Sequence, residues 1–181
     1  MTSGASVLAE RQEGPLSDQL KKLVPLARKT LLETRHYIYD LRPLLSGESD
    51  LRAMAENQVK EFRTVAGTPI ELSTEGEPVR LPVAVAAGAY RILQEALANV
   101  LKHAQASRVD VSLAFEPGWV RLRVQDDGVG MQPDGVSLGY GLANMRERAK
   151  ELGGTCEISG EPGAGTTVSL ALTVGGSDLL T

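Results

Sequence analysis

From Ser17 to Leu45 the positions Leu20, Val24, Ala27, Leu31, Thr34, Ile38, Leu41 and Leu45 recur at alternating spacings of four and three. That is the seam of a coiled coil or helical hairpin, which has to bury against partner helices. Pro25 sits inside the seam and, lacking an N–H, either kinks the helix or marks its start. Pro43 and Gly47 end it. A second helix is expected over Asp50–Val65, with Leu51, Met54, Ala55, Val59, Phe62 and Val65 on one side, broken by Gly67, Thr68 and Pro69. Ile70–Ser73 fits a short strand, and Leu81–Ala104 a long helix with Pro82 near its start, where proline is tolerated. Arg108–Phe115 and Trp119–Val124 both alternate apolar and polar residues and are joined by Glu116, Pro117 and Gly118, as a hairpin would be. A glycine-rich loop then runs from Asp126 to Tyr140, and a helix from Gly141 to Leu152. Two last strands, Thr155–Ser159 and Thr166–Leu172, flank the turn Gly160–Gly165. This order predicts an α/β two-layer sandwich, a mixed, mostly antiparallel sheet with helices on one face, preceded by a helical remnant. The tail from Gly175 is expected to fray.

The 181 residues suffice for one good core and a small appendage. A net charge of −4 argues against a basic footprint for nucleic acid. The single cysteine, Cys156, allows no disulfide within the chain and favours a reducing, cytoplasmic setting. No apolar run approaches the roughly 20 residues of a membrane helix, and the N-terminus has no secretory pattern. Any membrane attachment is expected to come from parts of a longer parent.

The candidate chemistry lies on the third helix and on three glycine turns. Glu95, Asn99 and Lys102 fall at i, i+4 and i+7. At 100° per residue they share an arc of roughly 60°, opposite Leu93, Leu97 and Val100. An acid, an amide and a cation on one stripe suit a nucleotide triphosphate. Asn99 offers an oxygen to Mg²⁺, Lys102 a point charge to phosphate, and Glu95 an acceptor for a metal-bound water or a proton in transfer. A solvated face with an ion pair reads the same, and His103 alone marks nothing. Asp126-Asp127-Gly128-Val129-Gly130 follows a strand directly. Its first carboxylate can accept from an adenine amino group while the glycines let a ligand approach the main chain, although any tight turn also uses these residues. Gly139-Tyr140-Gly141-Leu142 opens a helix, where backbone N–H groups favour phosphate. It is neither a P-loop nor a dinucleotide fingerprint. Gly163-Ala164-Gly165-Thr166-Thr167 enters the last strand with a hydroxyl able to bond a base or water, or serves only as a hairpin turn.

In this order and at these boundaries, the segments from about Asp50 to Val174 resemble the ATP-binding (Bergerat-type) domain of sensor histidine kinases, shared with DNA gyrase, some heat-shock chaperones and mismatch-repair ATPases. Tyr90–Ala104 resembles the asparagine box, Asp126–Gly130 and Gly139–Leu142 the two glycine boxes, and Gly165-Thr166 the last threonine signature. Leu41-Arg42-Pro43 after Glu33-Thr34-Arg35, with the run Gly141–Arg148, looks like the subgroup that signals to helix-turn-helix response regulators. The resemblance implies that Asp126, assisted by Gly128, Gly130 and Thr166, holds adenine, and that Asn99 carries Mg²⁺ beside Glu95. Lys102, His103 and the backbone of Gly139, Tyr140, Gly141 and Leu142 would face the phosphates, and Met131–Leu138 would form a short lid. It implies ATP and Mg²⁺ as cofactors, a response-regulator receiver domain as partner, and a parent homodimer through N-terminal helices. The domains would then be partial dimerisation and histidine-phosphotransfer helices over 1–46, a catalytic domain over 47–175, and a tail over 176–181.

One departure stands out. The family's phosphoacceptor histidine lies on the first hairpin helix beside an acid, yet no histidine precedes Ser17. His36 and His103 lack that context, and Ala5–Gly14 matches only a remnant of the helix. The chain is therefore expected to bind ATP·Mg²⁺ without phosphorylating itself, as a piece of a longer kinase or a product that never autophosphorylates. Two rivals stay open. One is another enzyme on the scaffold, an anti-sigma-type serine kinase or a gyrase-like ATPase. Leu41-Arg42-Pro43 argues against both, and there is little room for the second domain a gyrase-like enzyme needs. The other is a nucleotide-gated dimerisation module that sequesters a regulator.

Overall fold

A computed structural model describes residues 50–131 and 140–174. All of them belong to the unit Ser46–Thr181. The seam over 17–45, the expected lid from 132 to 138, Gly139 and the tail from 175 lie outside the described residues.

Helix α1 covers Leu51–Ala66. Asp50 caps it, its Oδ1 accepting from the Arg52 and Ala53 N–H groups at 3.0 and 3.2 Å. Gly67, at φ 68°, ends it in the left-handed conformation that glycine adopts without a side-chain clash. Leu51, Met54, Ala55, Val59 and Phe62 are buried as expected. Val65 is not: it is 65% exposed, although Ala66 beside it packs against the core. Arg63 ties the last turn of the helix down, donating from Nε and Nη2 to the Ile70 carbonyl at 3.1 and 2.8 Å.

Strand β1 runs Ile70–Glu75, two residues beyond the expected end. Helix α2 covers Val83–Asn99. Pro82 stands just outside it, its carbonyl accepting the first helical bonds from Val85 and Ala86 at 2.9 and 3.0 Å. The expected long helix changes character at its end. Val100–Ala104 is one π turn, closed by Gln105 at φ 51°. Then come β2 (Val109–Glu116), β3 (Trp119–Asp126), α3 (Tyr140–Glu151), β4 (Gly154–Gly160) and β5 (Thr166–Thr173).

The sheet order is β1-β2-β3-β5-β4. β1 pairs parallel to β2 through the α2 crossover, and the remaining pairs are antiparallel. Register lines the inward positions into rows across the sheet. Leu72, Val111, Val124, Val168 and Ile158 form one row, and Leu113, Leu122, Leu170 and Cys156 the next. The helices cover this face, with α1 against β1, α2 against β3 and β5, and α3 against β4 and β5. The opposite face carries the exposed alternates, such as Arg121 and Arg123 of β3. The mixed two-layer sandwich expected from the pattern is the fold observed. Gly88 lets α2 and α3 approach, since a Cβ there would strike the Leu152 side chain. Among the described residues no helix is long and apolar enough to cross a membrane.

Candidate functional site

The inward row of β3 is Val120, Leu122, Val124 and then Asp126. Strict alternation thus carries a carboxylate into the layer between sheet and helices, 6% exposed and opposite Val109. Burying an ionisable group here costs free energy unless it is hydrogen-bonded. The Gly128 N–H supplies one bond, donating to Asp126 Oδ1 at 2.9 Å. The second carboxylate oxygen has no donor among the described residues and is not fully buried. A carboxylate sunk at a strand end, with one oxygen held and the other without a donor among the described residues, keeps acceptor capacity to spare.

The glycines around it have a different explanation from the one the sequence invites. A Cβ at Gly128 would strike the Ala104 carbonyl, one at Gly130 the Glu161 carbonyl, and one at Gly165 the Asp126 carbonyl. These glycines let the protein's own loops close on one another, and the ligand's approach is not what demands them at these three points. Gly130 and Gly165 also sit at φ 71° and 77°, where L side chains are strained. Three main-chain bonds complete the stitching. The Val129 N–H donates to the Ala104 carbonyl at 2.8 Å, Gly163 N–H to Val129 at 2.8 Å, and Asp127 N–H to Arg108 at 3.3 Å. The first glycine box, the β4–β5 turn and the end of the π turn are therefore one assembly. Thr166, half-buried, starts β5 beside it, opposite Gly160.

Asp127, one residue on, faces the other way and was not singled out by sequence. Its carboxylate accepts from the Ser107 N–H at 2.8 Å, the Ser107 hydroxyl at 2.5 Å and the Arg108 N–H at 2.9 Å. The Ser107 hydroxyl, then the Arg108 N–H, hold its pKa below the usual carboxylate range. Asp127 thereby staples the segment leaving the π turn to the glycine box. The signal was available: inward positions 120, 122 and 124 put 126 inside and leave 127 outside.

On α2, Leu93 and Leu97 are buried, as is Val100 on the π turn, while Glu95 and Asn99 are half-buried, as the stripe requires. Lys102 and His103 are exposed on the π turn. Its i→i+5 bonding adds a residue to the turn and rotates Lys102 off the line that a uniform 100° step draws. Glu95 reaches α3: its Oε1 lies so close to Gly141 that a Cβ there would clash with it. Leu142 is partly buried against the core. Gly139 and the Tyr140 side chain lie outside the described residues. Upstream, Tyr90 donates its hydroxyl to Gln58 Oε1 at 2.8 Å, a buried bond that fixes α2 against α1. Among the described residues no three His, Cys, Asp or Glu side chains gather to hold a metal.

A buried carboxylate at a strand end, stitched glycine loops and Glu95 against the start of α3 thus belong to one two-layer α/β sandwich. Residues 84–175 match the family model described as histidine kinase-, DNA gyrase B- and HSP90-like ATPase. This chain belongs to that family, and it carries an ATP-binding domain. It is 33% identical, over 90% of its length, to an uncharacterised sensor-like histidine kinase of Chloroflexus aurantiacus, of which it covers 29%. It is 30% identical to the sensor protein VraS of Staphylococcus haemolyticus, with 92% of this chain and 47% of that protein aligned. The chain thus spans half or less of these curated relatives. Among solved structures it resembles the histidine kinase domain of the Erythrobacter litoralis EL346 blue-light activated histidine kinase (TM-score 0.63, 20% identity, 94% of this chain and 93% of that one). It also resembles the Acinetobacter baumannii histidine kinase AdeS (TM-score 0.62, 16% identity, 95% and 92%). At those identities the likeness is one of fold.

Proposed function

We propose that this chain is the ATP-binding catalytic portion of a sensor histidine kinase, with ATP·Mg²⁺ bound at the end of the sheet around Asp126. The observation that carries the reading is Asp126 itself, buried at the end of an apolar row with one oxygen held by the Gly128 N–H and the other accessible. That oxygen accepts the adenine amino group, with Gly130 and Thr166 beside it. Asn99 presents an amide oxygen to Mg²⁺. The donor set fits, because Mg²⁺ keeps most of its ligands as waters and phosphate oxygens and needs no all-protein cage. With the nucleotide bound, Glu95 would accept a hydrogen bond or a proton beside the metal, and Lys102 and His103 would offer positive charge and N–H donors to the phosphates from the π turn. The backbone N–H groups of Tyr140 to Leu142, at the start of α3, favour the same negative charge.

The nucleotide supplies a transferable γ-phosphoryl group. In the parent reaction it passes from ATP to a histidine ring nitrogen, with ADP leaving, and then to an aspartate on a response-regulator receiver domain. Neither His36 nor His103 is the acceptor. The parent acts as a homodimer through its N-terminal helices, and any membrane anchor belongs to the parent. Calorimetric titration with a non-hydrolysable ATP analogue, with and without Mg²⁺, tests the site. Saturable binding strengthened by Mg²⁺ is expected. Absence of binding would leave an interaction module that no nucleotide gates.

A further inference from the structure

Gly141 stands at the start of α3, where a bare backbone is most simply read as room for phosphate. The geometry points to another occupant. A Cβ on Gly141 would clash with Oε1 of Glu95, with Cδ 3.1 Å and Cγ 3.6 Å away. Gly141 lies within a regular right-handed helix of 12 residues, so nothing in its own backbone demands glycine. An anionic group beside a helix N-terminus is favoured there.

We infer that Gly141 is a positioning residue acting through Glu95: its missing side chain lets the Glu95 carboxylate seat against the first turn of α3, which sets where that carboxylate would stand beside bound Mg²⁺. The inference rests on the nucleotide reading above. The clash falls on the far end of a flexible side chain, not on backbone. A methyl group at 141 therefore moves the carboxylate and leaves the fold in place.

The test is a double-mutant cycle of wild type, Gly141→Ala, Glu95→Ala and the double variant, read two ways. Thermal unfolding without nucleotide reads the contact. Alanine is the better helix former, so Gly141→Ala raises Tm in the Glu95→Ala background and fails to raise it when Glu95 is present. Titration with a non-hydrolysable ATP analogue reads the consequence. Gly141→Ala weakens Mg²⁺-dependent affinity by about tenfold beside Glu95 and leaves it unchanged in the Glu95→Ala background. Tm effects that add independently overturn the contact. Equal loss of affinity in both backgrounds returns Gly141 to direct phosphate binding. A wild type that binds no analogue while the Tm effects stay coupled overturns the nucleotide reading and the positioning role, and leaves the contact as architecture.

Discussion

Asp126→Asn exchanges one oxygen for an NH₂ and changes almost nothing in volume. In the fold the amide oxygen can keep the 2.9 Å bond from the Gly128 N–H, so stability should fall by no more than about 1 kcal/mol, a Tm change of a few degrees. At the outer atom the effect is large, because a donor now stands where adenine's amino group needs an acceptor. A hydrogen bond to a charged group is worth about 1.5–3 kcal/mol, so ATP affinity should drop roughly 10- to 150-fold. The sign can be inverted as well as lost. An inosine triphosphate analogue carries a carbonyl in place of the amino group, and the NH₂ introduced by the substitution can donate to it. Calorimetry should show wild type preferring the adenine analogue and the variant losing or reversing that preference, with Tm measured in parallel. Equal adenine affinity in both proteins, within about twofold, would remove Asp126 from the site. An unchanged adenine-to-inosine ratio alongside weaker binding would show that the substitution acts through the cradle and not through base recognition.

Gly165→Ala forces a side chain onto φ 77° and against the Asp126 carbonyl. It should cost about 1–3 kcal/mol in urea unfolding and weaken nucleotide binding with it; unchanged stability would refute the loop stitching. Leu93→Ala empties a fully buried position under the α2 stripe and should cost about 2–5 kcal/mol, seen as a lower denaturation midpoint with an unchanged slope. Asp127 has a depressed folded pKa, set first by the Ser107 hydroxyl. Its stabilising contribution is therefore present above the ordinary carboxylate value of about 3.9 and is lost as pH falls through the lower folded value. Ser107→Ala should move the acid-unfolding midpoint by circular dichroism to higher pH, and an unmoved midpoint would count against the staple. Incubation with γ-labelled ATP should leave no acid-labile label on this chain, and strong labelling at His36 or His103 would overturn the assignment of the acceptor elsewhere.

Much of this molecule is legible along the chain, because its elements obey local rules. Alternation through Val120, Leu122 and Val124 announces β3, and glycines at 67 and 118 mark where backbone must turn. The apolar stripe of α2 shows which of its sides is buried, and so which side Glu95 and Asn99 can share. The family resemblance adds a role for each box, since its motifs recur at fixed places relative to strand and helix ends. What local pattern could not supply is anything set by a neighbour distant in sequence. The parallel pairing of β1 with β2 depends on how α2 crosses the sheet, and Val65 is exposed although it lies on the apolar stripe of α1. The π turn at Val100–Ala104 keeps helical composition but ends in a carbonyl that accepts from Val129, a residue 25 positions beyond Ala104. The glycines of the cradle look like room for a ligand until the fold shows protein carbonyls where their side chains would be. Sequence determines which residues face inward and where the chain must bend, since those follow from the periods of helix and strand. Tertiary structure alone decides which inward groups meet, because steric exclusion and hydrogen-bond pairing act between atoms that only folding brings together.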